Sequence, residues 1–227
     1  MYAEWRGHMG NGTGQVSYYE ALKREIYEEV LNYTCQNDDS QALQLLLSAV
    51  TSDTLMSLLS TLTLASSKLS CIQKAAGCGN NTFISIILQH LASEGVLPLL
   101  LLRPLSDGSK TALHLACDRA RRKVVETIID LAPQSAQYEL IQARDENGNT
   151  VLHSAVASGD KRLVQALKLD QLTGEQRYAI KVKENESRLT AIDLAKQQNS
   201  SQIEGYLDDL LQESRIRKCN QKGGGTI

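Results

Sequence analysis

Thr150-Val-Leu-His-Ser-Ala155 repeats the pattern of Thr111-Ala-Leu-His-Leu-Ala116, which lies 39 residues earlier in the chain. The same spacing leads forward to Thr190-Ala-Ile-Asp-Leu-Ala195, and backward to Ser70-Cys-Ile-Gln-Lys-Ala75 and Leu31-Asn-Tyr-Thr34. Each segment ends on a small residue and is followed by a second apolar run. The sequence therefore predicts five related units with a period of about 40 residues.

Aliphatic residues recur at fixed distances from the small residue that ends each segment. They stand three residues before it, nine after it and twelve after it, and Glu204 alone among the fifteen positions departs from the pattern. This spacing is typical of two packed helices per unit. The three columns are Leu31, Ile72, Leu113, Leu152, Ile192; Leu43, Ile84, Val125, Val164, Glu204; and Leu46, Ile87, Ile128, Leu167, Leu207.

A tight turn is predicted between the two helices of each unit. The residues four places after the small residue are Asp38, Gly79, Ala120, Gly159 and Asn199, and all but Ala120 are types that tolerate the left-handed backbone of a helix end. A Thr suited to capping precedes the first helix of the third and fourth units. Because one helix pair cannot bury its own apolar face, the units are expected to stack.

The segment Gly148-Asn-Thr-Val-Leu-His-Ser-Ala155, followed by Gly159-Asp160, closely resembles the ankyrin-repeat core Gly-x-Thr-Pro-Leu-His-x-Ala. The resemblance implies an all-α solenoid of about five repeats with short hairpin turns, each lengthened beyond the family's period of about 33 residues. The extra residues are expected after the second helices, as further helices or long loops at 52–64, 133–142 and 172–183. Departures from the family pattern are Ala112, Val151 and Ala191 in place of Pro, and Gln73 and Asp193 in place of His.

The predicted domain organisation is one repeat domain, 17–213, between flexible ends. Its units lie near 17–50, 67–95, 107–131, 146–169 and 186–211, and the first could also be a capping helix pair. Residues 1–16 and 214–227 include glycine-rich stretches, which favours a flexible N-terminal segment and a flexible C-terminal tail. The alternative is a separate helical domain at 1–105 that carries its own activity and is targeted by the repeats.

Composition excludes several classes of protein. The formal charge of −2, from 24 basic and 26 acidic residues, argues against nucleic acid as the main partner. Five cysteines without zinc-site spacing or disulfide density favour a reducing compartment. The apolar stretch Val96 to Leu105 is too short for a membrane span. We therefore expect a cytoplasmic protein, with the nucleus as the alternative location, that is monomeric on its own.

The side chains that suggest chemistry have structural explanations. His114 and His153 recur at the repeat position where ankyrin repeats use His to hydrogen-bond backbone between turns, and Cys117 beside Ala116 is expected to be a buried, inert thiol. The carboxylates of Asp107, Asp145 and Glu146 are assigned to hairpins. We therefore predict no catalytic residue, no metal site and no cofactor, and hence no enzyme. The cluster of Arg119, Arg121, Arg122 and Lys123 is interpreted as a solvated turn, with an acidic partner or a nuclear address as alternatives.

The resemblance implies a scaffold or adaptor that binds another protein through the concave face of the stack. That face would comprise the hairpin tips and the exposed side of each first helix. A narrower alternative is an IκB-like inhibitor of a transcription factor, because those proteins also have lengthened ankyrin repeats. The positions expected to be exposed for partner binding are Lys74, Asp118, Arg119, Glu146, Asn147, Asn149, Ser154, Ser158 and Lys196.

Overall fold

The computed structural model describes residues 13–61, 70–92 and 110–210, which are helical apart from turns and one isolated antiparallel bridge between Arg144 and Thr150. A single 3₁₀ turn spans Leu169–Gln171. The helices are α1 (Thr13–Asn37), α2 (Ser40–Ala49), α3 (Ser52–Thr61), α4 (Cys71–Cys78), α5 (Asn81–Ala92), α6 (Ala112–Asp118), α7 (Arg122–Leu131), α8 (Gln134–Gln142), α9 (Val151–Ala157), α10 (Lys161–Ala166), α11 (Gly174–Lys181), α12 (Ala191–Gln197) and α13, described over 201–210.

Five helix pairs make up the stack: α1/α2, α4/α5, α6/α7, α9/α10 and α12/α13. We call the first helix of each pair the inner helix and the second the outer helix. Inner helices pack on inner helices in the order α1, α4, α6, α9 and α12, and outer helices pack in the order α2, α5, α7 and α10. The predicted all-α solenoid is confirmed, and the pairs at 13–49 and 71–92 are in contact with those that follow.

The core lies between the pairs. The column three residues before the small residue is buried in every unit, with side chains 0–6% exposed, and Thr34 and the Ala residues that end the segments are fully buried. These small side chains allow neighbouring inner helices to approach closely. Each buried Leu or Ile contributes about 1.5–3 kcal/mol to the free energy of unfolding. Only Glu204 interrupts the outer-helix columns, and it is half-buried.

All five predicted turns have a left-handed residue at the predicted position. The φ angles are 53° at Asp38, 89° at Gly79, 53° at Ala120, 73° at Gly159 and 54° at Asn199. The predicted turn position is therefore correct in every unit, including the first two. Ala120 adopts the conformation although its Cβ disfavours it.

Reciprocal capping starts the inner helices. Ser70, Thr111, Thr150 and Thr190 each form a capping box with the residue three places on, which satisfies backbone N–H groups that a helix start leaves unpaired. The first unit differs because α1 already begins at Thr13. The prediction of a flexible segment over 1–16 is therefore wrong for residues 13–16, and residues 1–12 lie outside the described ranges.

The extra length of the repeats forms third helices. α3, α8 and α11 lie within or near the predicted insertions, and α8 packs on α11. The amide of Gln137 in α8 donates to the carbonyls of Ile129 at 3.1 Å and Ala132 at 3.5 Å, so it caps the end of α7. The third helix is thus tied to its own repeat.

Several predictions fall on residues that the structure does not describe. They concern the stretch Val96 to Leu105, the hairpin that contains Asp107, and the tail 214–227. Among the described helices, none is by itself long and apolar enough to cross a membrane. The pair Ser40–Ala49 and Asp53–Leu59, bent by 120°, meets the length and composition test only when taken together.

Candidate protein-binding surface

A hairpin, which we call a finger, precedes the inner helix α9. The carboxylate of Asp145 is 6% exposed, and its Oδ1 accepts hydrogen bonds from the backbone N–H of Asn147 at 3.0 Å and of Asn149 at 2.8 Å. Gly148, with φ 69°, completes the turn. This carboxylate shapes the finger, as the sequence predicted, and Glu146 and Asn147 are exposed at the tip.

A second finger precedes α12, and the sequence analysis did not identify it. Asn185 takes the place of Asp145, since its Oδ1 accepts from the backbone N–H of Leu189 at 3.0 Å. Arg188 has φ 58° where the previous finger has glycine. The two fingers are joined because the N–H of Glu186 donates to the carbonyl of Asn147 at 3.1 Å. The available signal was the five-residue distance from Asn185 to the capping Thr190, which matches that from Asp145 to Thr150.

A ladder of buried side chains connects the inner helices α4, α6 and α9 to the residue just before the N-cap of the next inner helix. Gln73 Nε2 donates to the carbonyl of Lys110 at 2.7 Å. His114 Nε2 lies 3.1 Å from the carbonyl of Asn149, and His153 Nε2 lies 3.1 Å from that of Leu189. The predicted structural role of both histidines is confirmed.

The hydrogen bonds determine the protonation of the two histidines. Nδ1 of His114 accepts from the backbone N–H of Thr111 at 3.3 Å, and Nδ1 of His153 accepts from that of Thr150 at 3.2 Å. The carbonyl acceptors therefore face a protonated Nε2, so each ring is neutral. Burial lowers the pKa of both groups, and the backbone acceptors only partly oppose this. Neither imidazole is available as a general base.

The buried thiols are also poorly suited to chemistry. Cys35, Cys71 and Cys117 are buried, and burial raises their pKa, for Cys35 to about 11. A thiolate, the reactive form, is therefore disfavoured. In the described part of the chain, no three His, Cys, Asp or Glu side chains are grouped so that they could hold a metal ion.

The predicted partner-binding positions differ in their exposure. Arg119 and Lys196 are exposed near the ends of inner helices. Asp118 is accessible but pairs with Lys110 at 2.5 Å, and this hydrogen bond raises the pKa of the lysine. Lys74 and Ser158 are half-buried, and the Ser158 hydroxyl donates to the carbonyl of Ala155 at 2.7 Å.

Two of these positions serve the fold. Asn149 is half-buried within the fingers, where its N–H and amide bind Asp145 and its Oδ1 accepts from Asn185 at 2.8 Å. Ser154 is 5% exposed, so the expectation that it is exposed was wrong. The reason is that α9 is surrounded by α6, α8, α10 and α12, which bury six of its seven residues.

We call the accessible residues of the fingers and inner-helix ends the finger surface: Asp118, Arg119, Glu146, Asn147 and Lys196, which are exposed, and Lys110, which is half-buried. The fold that carries this surface is a helical solenoid. This class of protein consists of stacked units that share side-chain positions and hydrogen bonds between repeats. Residues 88–174, which contain the pairs α6/α7 and α9/α10, match the family model described as ankyrin repeats, in three copies. This stretch of the chain therefore consists of ankyrin repeats.

Ankyrin repeats are protein–protein interaction modules, and the family is generally a non-enzymatic interaction scaffold. No curated protein matches the chain.

Proposed function

We propose that this protein binds a partner protein through the finger surface, which corresponds to the concave face of ankyrin stacks. The observation that carries the proposal is the ladder made by Gln73, His114 and His153. These buried bonds tie each finger to the preceding inner helix, so the tips and helix ends are held in fixed relative positions. Such preorganisation lowers the entropy lost on binding.

The chemistry of the finger surface suits a polar protein interface. Glu146 and Asn147 project from a finger whose own turn is held by Asp145, so the fold does not need their side chains. Lys196 is exposed and has only a loose ion pair with Glu204, at 3.9 Å. Charges of both signs lie along the surface, which favours a partner with a mixed pattern of charge rather than a uniformly charged one.

We also propose that the chain acts without catalysis, inside a reducing compartment. The neutral, fixed histidines support the first statement, and the free thiols Cys35, Cys71, Cys78 and Cys117 support the second. The cytoplasmic or nuclear location and the monomeric state remain predictions.

Affinity capture from source cells tests the proposal. The variant Glu146→Lys/Asn147→Ala/Lys196→Glu changes three exposed side chains, and the control Gln44→Ala/Gln89→Ala changes two exposed side chains on the outer helices α2 and α5. We expect proteins captured by the wild type to be retained by the control and lost with the finger variant, at an unchanged melting temperature. Equal capture by both variants would refute the finger surface as the binding site.

The narrower IκB-like role stays a prediction. It requires a Rel-type factor among the captured proteins, and co-purification of such a factor in a finger-dependent way would distinguish it from a general adaptor role.

A further inference from the structure

The outer helices of two adjacent repeats begin with cations, at positions where the other repeats have neutral residues. α7 begins with Arg122-Lys123 and α10 with Lys161-Arg162. The equivalent pairs are Ser40-Gln41, Asn81-Thr82 and Ser201-Gln202. Three units adopt the same turn and helix start without these charges, so this local structure does not require them.

These cations are placed where they reduce helix stability. The positive end of the helix dipole lies at the N-terminus, so a cation in the first turn is unfavourable by a few tenths of a kcal/mol or more. α7 has no acidic residue in its first turn. Its N-cap residue, Arg121, makes no capping hydrogen bond with its side chain. Residues that break a local rule without helping the fold are candidates for a functional role.

The stack brings the two sets of cations together. Arg122 and Arg162 line one groove between α7 and α10, together with Glu126, Asp130 and Lys168. Each carboxylate pairs with a cation of the groove, since Glu126 lies 3.1 Å from Arg122 and Asp130 pairs with Lys168. Lys123 and Arg162 are exposed, and neither forms an ion pair with another described residue.

We propose that this basic edge, formed by Arg122, Lys123 and Arg162, binds an acidic segment of a partner protein. Arg121, which donates to the carbonyl of Gly77 at 3.2 Å, and Lys161, which lies 5.9 Å from the centre of the Tyr206 ring, add positive charge beside it. The basic edge is a second interaction surface, separate from the finger surface and independent of it. Arginine presents a planar fork of donors that pairs with a carboxylate through two hydrogen bonds. Packed outer helices lie about 8–10 Å apart, and an extended chain advances about 3.3 Å per residue, so carboxylates three residues apart can reach both repeats.

A protein segment fits this edge better than a nucleic acid does. Glu126 and Asp130 lie in the groove itself and would repel a continuous phosphate backbone, whereas a peptide can place neutral residues beside them. The cations are confined to two repeats of a chain whose formal charge is −2. Tight nucleic-acid binding usually neutralises a longer series of phosphates.

The test uses the full-length protein and three fluorescent probes in anisotropy titrations. The first is a peptide with glutamate at every third position, the second has glutamine instead, and the third is a single-stranded DNA. The variant Lys123→Glu/Arg162→Glu reverses two exposed, unpaired cations of the edge. The control Arg144→Glu/Arg188→Glu makes the same change of charge at exposed positions in the two fingers, outside the residues of the finger surface.

We expect the acidic peptide to bind the wild type and the control alike, and the edge variant to bind it about tenfold or more weakly. Binding should weaken between about 0.05 M and about 0.3 M salt. The edge variant should melt no lower than the wild type, because glutamate near a helix start is favourable. The proposal is overturned if the peptide does not bind, if both variants lose it equally, or if DNA binds the edge more tightly.

Discussion

At the scale of single residues, the turn between the paired helices shows how backbone conformation selects side chains. Every unit has a left-handed residue there, and four of the five are Gly, Asn or Asp. Gly, Asn and Asp reach φ near +55° at low cost. The other residue types, alanine included, lose about 1–2 kcal/mol in this region because their Cβ lies too close to the backbone. Ala120 therefore stores a small, local strain that the surrounding stack maintains.

Exchanging the residues at two of these turns should have opposite effects on stability. We expect Ala120→Gly to raise the free energy of unfolding by about 0.5–1 kcal/mol, because the strain is removed. Gly159→Ala should lower it by about 1 kcal/mol, and this change isolates the backbone term because a Cβ at Gly159 would meet no atom within 4 Å. Urea denaturation measures both. A destabilised Ala120→Gly protein would show that the turn is not strained.

Residue types alone gave an incomplete account of the finger surface. The Asp145 finger was recognisable because Gly148 and the adjoining Asn residues are typical turn formers. The Asn185 finger was missed because Arg188 occupies the left-handed position, which is a rare choice for a residue with a side chain of this kind. Ser154 was misplaced for a related reason, since its burial depends on helices that are distant in sequence.

At the scale of the helix, one side chain serves two purposes at the start of three of the five inner helices, α4, α6 and α9. Gln73, His114 and His153 each complete the cap of their own helix and reach a carbonyl before the next one. Asp193 occupies the same position in the last unit, but its carboxylate has no hydrogen to donate to a carbonyl. It accepts hydrogen bonds from the N–H and hydroxyl groups of Thr190, and these bonds lower the pKa of its carboxyl group. The ladder accordingly ends at the last unit.

The two histidines should make stability depend on pH. Their pKa is lowered on folding, so the unfolded chain binds more protons, and stability present above about pH 6.5 declines as the pH falls. The slope is at most about 1.4 kcal/mol per pH unit for each histidine. Denaturation measured from pH 7.5 to 5.5 should show this decline.

The matched variant is His114→Gln/His153→Gln, because Gln73 already performs the same role in the second unit. We expect it to fold and to lose most of the decline in stability at low pH. An identical decline in the wild type and the variant would contradict the neutral, buried state of the rings.

The helices themselves were largely predictable, but their ends were not. The aliphatic columns and the turn positions located all five helix pairs, because burial between stacked units requires aliphatic residues at the same positions of every repeat. The third helices α3, α8 and α11 were anticipated only as helices or loops, since nothing in their sequence shows contacts such as those between Gln137 and α7. The early start of α1 was missed because the glycine-rich residues before it suggested a coil.

At the scale of the whole molecule, the repeats extend beyond the stretch that matches the ankyrin family. That stretch begins at residue 88, yet α4 and α5 contact α6 and α7, and the turns at Asp38 and Gly79 have the same conformation as the later ones. These contacts favour one stack that includes the first two units, and we expect a binding surface to continue across them.

Hydrogen exchange of the full chain, followed by mass spectrometry, tests this central claim most directly. Gln73→Ala removes the bond from the second unit to the carbonyl of Lys110, and Gln89→Ala, on the exposed side of α5, is the control. A continuous stack predicts faster exchange in both α4/α5 and α6/α7 for Gln73→Ala, with a loss of about 1–3 kcal/mol in stability. Faster exchange confined to α4/α5, with α6/α7 unchanged, would show that the first units form a body of their own.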